Sequence, residues 1–290
     1  MAHCTVRDAE AVLDKEYPVL DKGFVRLVDY LGGDERVVQA ARVSYGEGTK
    51  SYREDAGLID YLLRNRHTSP FEQVVLTFHI KLPVFVARQW IRHRTARVNE
   101  VSGRYSVMED AFYVPAPEDL ALQSTDNKQG RSQTALDPEE AEKIRFGLRE
   151  NQHRAYEAYT ELIRGGLARE LARINLPLSL YTEWYWQIDL HNLFHFLELR
   201  LDAHAQKEIR LYARVIFEIT KKVAPRCCGS FQEHVLGSVA FSAAEFAELQ
   251  HRLGLAEKTG SAEAGHPKKE LTGKSLERFE EKLTRGGKSE

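Results

Sequence analysis

Four arginines, a histidine, an Asn-Glu pair and a Ser-Gly turn lie within Arg92–Arg104, and Arg88 sits just upstream. A guanidinium is a planar fork of donors that meets phosphate oxygens two at a time and also stacks on flat rings. Ser102-Gly103-Arg104 adds a hydroxyl, backbone N–H groups open to an anion and one more guanidinium, as an anion-binding turn would. The stretch describes a pocket for a phosphorylated, ring-containing molecule. An exposed basic helix end is the plainer alternative, but it gives no reason to embed Asn99 and Glu100. Ser102 could also be a nucleophile. No His-Asp partner adjoins it in sequence, so hydrogen bonding to phosphate suits it better.

Other residues of chemical interest fall further along. Arg169 and Arg173 stand four apart, either as surface charges or with Arg173 turned to a ligand. His191, His195, Glu198 and Asp202 follow one helix face at i, i+4, i+7 and i+11. Two histidines four apart can share a metal ion, although a solvated polar face is the commoner outcome and no metal is expected. Arg200, among Leu197, Leu199 and Leu201, is either paired with Glu198 or Asp202 or kept for a ligand. Ser69 precedes Pro70-Phe71, where it could cap a turn.

These residues need elements to hold them. Phe24–Leu31 and Val74–Ile80 read as strands, and Asp34 caps a helix to about Ser44, followed by another over Ser51–Asn65. Pro83 suits the first turn of a helix running to about Arg94. There Val86, Ala87, Trp90 and Ile91 form the buried stripe, while Gln89, Arg92 and His93 share the opposite face. Ala111–Pro115 reads as a strand and Glu118–Leu136 as a polar loop or insertion. Pro138 opens a long helix to about Arg164, and a short one follows over Leu167–Asn175. Glu183–Leu190 alternates as a strand; Asn192–Leu201 and Ala205–Val223 read as helices. After Ser261 the chain turns Lys-, Glu- and Gly-rich, expected to be a mobile tail with a short helix near Ser275–Leu283. Strands and helices without βαβ alternation indicate an α+β fold.

Composition sets bounds. A chain of 290 residues with 42% hydrophobic content can bury a sizeable core. The formal charge of -2 makes the molecule as a whole no polyanion binder, so its basic residues matter where they cluster. No apolar run reaches the length of a membrane span, and the N-terminus lacks a signal-peptide core. Cys4 and the adjacent Cys227-Cys228 give no disulfide framework, so a cytoplasmic location is expected. None lies near the arginine-rich stretch, which argues against a cysteine nucleophile.

Arg92-His93-Arg94, seven residues, then Ser102 resembles the RHR-x7-S signature of the flavin-dependent thymidylate synthases, the ThyX family. Flanking Gln89-Trp90-Ile91 and Gly103-Arg104-Tyr105-Ser106 extend the likeness. So do His67-Thr68-Ser69-Pro70-Phe71-Glu72, Ala172-Arg173-Ile174, Leu176-Pro177-Leu178, Tyr181-Thr182 and Leu199–Gln206. These blocks keep the family's order from about residue 24 to 235. The chain departs from it at Gln73, where members often carry histidine, and at Asp189, His191 and His195, often Asn or Arg.

The resemblance implies a ThyX-like α+β fold with a central, mostly antiparallel sheet flanked by helices and a helical C-terminal part. The division it suggests is an extension over 1–23, a catalytic domain over 24–240, a helical extension over 241–260 and a tail over 261–290. It implies methylation of dUMP to dTMP, with 5,10-methylenetetrahydrofolate as carbon donor and NADPH reducing FAD. The cofactor-binding residues it implies are Ser69, Arg92, His93, Arg94, Glu100, Asp189, Leu190, His191 and His195. For dUMP it implies Gln89, Trp90, Ile91, Arg92, Glu100, Val101, Ser102, Gly103, Arg104, Arg173 and Arg200, with Arg200 catalytic against the uracil ring. Members are homotetramers whose sites are shared between subunits, and neither polynucleotide nor membrane is an expected partner. Cysteine-dependent thymidylate synthase chemistry is excluded. A basic-groove nucleic-acid binder and an inactive nucleotide-binding relative remain the alternatives.

Overall fold

A computed structural model describes residues 5–43, 52–125, 130–253 and 271–285. Its first compact unit, Met1–Cys228, is built on a five-stranded, wholly antiparallel sheet. After the single turn α1 (Arg7–Glu10) come β1 (Glu16–Val19), β2 (Gly23–Leu31), α2 (Asp34–Arg42), α3 (Tyr52–Arg64), β3 (Val75–Pro83) and α4 (Val84–Trp90). Next are β4 (Arg97–Glu100), β5 (Ala121–Gln123), β6 (Arg131–Ala135), α5 (Pro138–Arg164) and the turn α6 (Arg169–Ala172). The unit continues with β7 (Tyr181–Asp189), α7 (Leu190–Arg200) and α8 (Lys207–Val223), and α9 (Pro225–Phe231) follows. The sheet order is β1-β2-β3-β7-β4. The expected fold class is thereby borne out.

Alternation decides which face of the sheet is the core. Leu76, Phe78, Ile80 and Leu82 of β3 are fully buried, as are Trp184, Trp186 and Ile188 of β7. The residues between them are polar or aromatic: His79 stacks on Tyr185 with centroids 4.9 Å apart, and Lys81 pairs with Glu183 at 3.2 Å. Such period-2 segregation is what a one-sided antiparallel sheet requires.

Helices α4 and α7 leave the sheet without a connecting loop. β3 ends at Pro83 and α4 starts at Val84; β7 ends at Asp189 and α7 starts at Leu190. Pro83 lies opposite Tyr181 and Val75 opposite Asp189, so the two helices begin at opposite ends of one strand pair. Both fold back over the apolar face. Asp189 fixes the second junction by accepting the Asn192 N–H at 2.9 Å, while its other oxygen takes the Asn192 side-chain amide at 2.7 Å.

Several local readings need correction. α4 stops at Trp90 rather than Arg94, and Ile91, expected in its buried stripe, is 44% exposed. Ala111–Pro115 is no strand; it is a buried segment with one bridge, Phe112 to Leu180. Pro115 has no N–H to extend that pairing. The polar segment Glu118–Leu136 contains the β5–β6 hairpin. β1 and β4 went unread because four residues are too few for periodicity, and every residue of β4 is exposed.

The second unit, Gly229–Glu290, contains α10 (Ala243–Arg252) and α11 (Lys274–Arg285). Within the stretch expected to be a mobile tail, Phe279 of α11 is fully buried against Phe241. Lys282 grips both oxygens of Glu245 at 2.8 Å, and Glu245 also completes a capping box with Ser242. Residues 254–270 and 286–290 lie outside the described residues.

Candidate active site

The arginine motif begins where α4 ends. Trp90 anchors that end: it stacks on Phe196 of α7 at 4.7 Å and meets Trp184, Trp186 and Tyr212 edge-on. With Trp90 fully buried, its side chain is engaged in packing. The chain then turns, and His93 emerges against Phe196 at 4.9 Å and His195 at 6.1 Å.

Here α4 and α7 deliver their chemistry to one place. Arg200 Nε donates to His93 Nε2 at 2.9 Å. Burial first, then the charge of Arg200 and the neighbouring His195, lower the His93 pKa to about 4. The ring is therefore neutral near pH 7, with Nε2 as acceptor and its proton on Nδ1. Arg200 is half-buried, and burial lowers its pKa, yet the guanidinium remains a cation. Among the described residues no carboxylate pairs with it. The same holds for exposed Arg92 and Arg94 and for Arg173.

β4 carries the rest of the motif along the sheet edge. Its pairing sets Val98 opposite Trp186 and Glu100 opposite Trp184. Glu100 accepts the Thr182 hydroxyl at 2.6 Å, and Val101 N–H bonds Glu183 O at 2.8 Å. The next turn is closed by N–H groups of Tyr105 and Ser106 on Ser102 O, each at 3.0 Å. Arg173 crosses this turn: a methyl placed on Gly103 would sit 3.0 Å from its Cδ and 3.0 Å from Met108 Sδ. A cavity of about 240 Å³ opens there, lined by Glu100, Val101, Gly103, Arg173 and Thr182 with apolar neighbours including Leu178.

Two stretches of the chain match known families: residues 26–226 match "Thymidylate synthase complementing protein", and residues 239–288 match "Thymidylate synthase ThyX C-terminal domain". The chain belongs to the ThyX family. It is 61% identical to a flavin-dependent thymidylate synthase of Treponema denticola over 274 residues, 94% of this chain and 99% of that protein. A flavin-dependent thymidylate synthase of Treponema pallidum is 59% identical over 286 residues, covering 99% and 90%. Among solved structures, a UMP/dUMP methylase PolB from Streptomyces cacaoi bound with 5-Br dUMP superposes with a TM-score of 0.69. It is 33% identical, with 76% of this chain and 98% of that one covered.

A ThyX chain needs a place for flavin, and the donor set here fits one in part. Ser69, Arg92, Arg94 and His195 are exposed, and His191 is half-buried. Phe71, just beyond Ser69, packs on Phe194 at 6.4 Å, which sets the Ser69 turn beside α7. Two unpaired guanidiniums, a hydroxyl and imidazoles suit a molecule with phosphates and a ring system. Leu190 is fully buried, and two hydrogen bonds from Asn192 hold the Asp189 carboxylate at the start of α7. The family's FAD fits through the other residues.

The remaining sites divide. Gln89 is half-buried and bonded to Gln206, and Ile91 is exposed. Arg104, expected at phosphate, instead pairs with Glu170 at 3.0 Å, although both are more than half exposed. The continuous acid-histidine face is broken because α7 ends at Arg200 and Asp202 caps the next turn through His204 N–H at 2.9 Å. Among the described residues no group of three His, Cys, Asp or Glu is placed to hold a metal. Cys227 and Cys228 are buried far from the site in sequence, and burial raises both thiols. No helix among the described residues is long and apolar enough to cross a membrane. Thr182 and Gln206 fall in the family-like blocks but had no role from sequence; they bond Glu100 and Gln89 through contacts that local pattern does not encode.

Proposed function

We propose that this ThyX enzyme converts dUMP to dTMP in the cytoplasm, with 5,10-methylenetetrahydrofolate as carbon donor and NADPH as reductant. The observation that carries the reading is the group Arg92, Arg94, Arg173 and Arg200, cations without carboxylate partners among the described residues, in a chain whose fold is similar to that of a dUMP methylase over 76% of its length. Bound FAD supplies the hydride transfer that protein side chains cannot perform. Arg92, His93 and Arg94 with Ser69, His191 and His195 hold it.

The chain's own residues grip and polarise the nucleotide. Arg173 with Ser102 and the Gly103 N–H takes the phosphate, Arg104 joining once it leaves its exposed pair with Glu170. Glu100, held by Thr182, and Gln89 take polar groups of the nucleoside. Arg200, aimed by neutral His93, sits against the uracil carbonyl and N3 and stabilises negative charge in the ring. Electron density then becomes available at C5, and no covalent protein–substrate bond is required.

The His93–Arg200 group and the Gly103–Arg173 cavity share no direct contact among those described. A homotetramer with sites at subunit junctions supplies one complete site from both, and exposed Ile91, Val98 and Val101 around the motif suit such a junction. Family membership lends no support to a polynucleotide groove or an inactive relative.

An absorbance spectrum followed by NADPH addition tests the reading. A flavin band that bleaches more readily with dUMP is expected; a colourless protein that takes up no FAD overturns it. Gly103→Val tests the phosphate turn, because the added side chain displaces Arg173. The dUMP KM should rise roughly ten- to a hundredfold, the loss of a charge-assisted hydrogen bond, with flavin content unchanged. An unaltered KM removes Arg173 from the phosphate.

A further inference from the structure

Glu208, the second residue of α8, is 3% exposed, yet it is held as a carboxylate. Burial alone would raise its pKa, but the hydrogen bonds and charge of Arg131 more than offset this and hold it below the ordinary value. Arg131 Nη2 reaches both carboxylate oxygens, at 2.6 and 2.8 Å, and the Tyr113 hydroxyl adds a bond at 3.2 Å. Arg131 comes from β6, so the hairpin supplies the counter-charge. It also donates to Asp119 O at 2.8 Å, and the Asp119 carboxylate pairs with Lys207 beside Glu208.

An ionised carboxylate only accepts hydrogen bonds, so whatever amide faces it must turn its NH2 inward. Gln206 does this, with Nε2 donating to Glu208 Oε2 at 2.8 Å. Its Oε1 is thereby turned to Gln89, which must answer with its own Nε2. One negative charge thus decides the orientation of two amides that could otherwise flip.

We propose that Glu208 is a positioning residue for the nucleotide: through Gln206 it sets Gln89 so that Oε1, an acceptor, is presented to a donor group of dUMP, a sugar hydroxyl or the ring N–H. The inference rests on the reading above that dUMP lies against Gln89. The hairpin, which holds none of the site residues, becomes part of substrate recognition because it keeps Glu208 charged.

Steady-state kinetics of the flavin-loaded enzyme test this with two variants that separate charge from size. Glu208→Gln keeps the length but can donate as well as accept; Glu208→Asp keeps an acceptor-only group and loses a methylene. The relay predicts that Glu208→Gln raises the dUMP KM about tenfold, the loss of one ordinary hydrogen bond. Its kcat and flavin content should change little, and Glu208→Asp should stay nearer wild type. A packing role predicts the reverse order, and that order, or an unchanged KM in Glu208→Gln, overturns the proposal. Should neither variant fold, Gln206→Met leaves the Glu208–Arg131 pair intact and must show the same tenfold rise; a wild-type KM there is equally fatal. Failure of the underlying functional reading is visible separately, as absent dUMP turnover in the unmodified enzyme.

Discussion

Arg200→Ala is expected to fold, to hold flavin and to lose about two to three orders of magnitude in dTMP formation. That is the usual cost of deleting one preorganised donor from a site where charge develops. The guanidinium is half-buried at the last residue of α7 and is oriented by His93 rather than neutralised by an acid. No ion pair among the described residues therefore offsets its charge in the site. Arg200→Lys is a sharper probe: it restores the charge without the Nε donor or the planar fork, so only part of the rate should return. Single-turnover formation of dTMP from pre-reduced enzyme measures the step directly. Turnover of Arg200→Ala near that of the wild type would sink the catalytic role.

Trp90→Ala should destabilise the first unit by about 3–5 kcal/mol, as large aromatic truncations in well-packed cores do. Trp90 contacts Trp184, Trp186, Phe196 and Tyr212 at once, joining α4 to β7, α7 and α8. Trp90→Phe keeps the stack on Phe196 and should cost less. Urea denaturation followed by far-UV circular dichroism gives the difference from the midpoint at constant slope. A loss under about 1 kcal/mol together with a raised dUMP KM would return Trp90 to the substrate side.

Such a division of labour could not be read from the motif, where Trp90 is simply a neighbour of Arg92. Segments with strong local pattern were legible. Pro138 opens α5 as expected, while the cap by Asp137, which accepts the Glu139 N–H at 2.9 Å, was not foreseen, and β3 and β7 follow their alternation. His93 and Arg200 were both recognisable as site residues, but not their mutual bond, which spans 107 residues of sequence. Long-range partnership also hid the pairing of Arg104 with Glu170 and the capture of Glu100 by Thr182. The Asp189 cap was missed for a different reason. An acid at a strand end looks like a ligand until the helix it caps is seen to begin one residue later. The likeness of the blocks to ThyX carried the function; local physics carried the elements, and neither reached the contacts between distant segments.

The two loopless junctions, Pro83 to Val84 and Asp189 to Leu190, remove any hinge between the sheet and α7, whose last residue is Arg200, and between the sheet and α4, which leads into the turn carrying His93. Rotating either helix away would first break a strand pair that is bonded in register along nine residues. Arg200 is thereby fixed relative to the sheet, and the adjustments that ligand entry requires fall to the turns on either side of β4, the first of which carries His93.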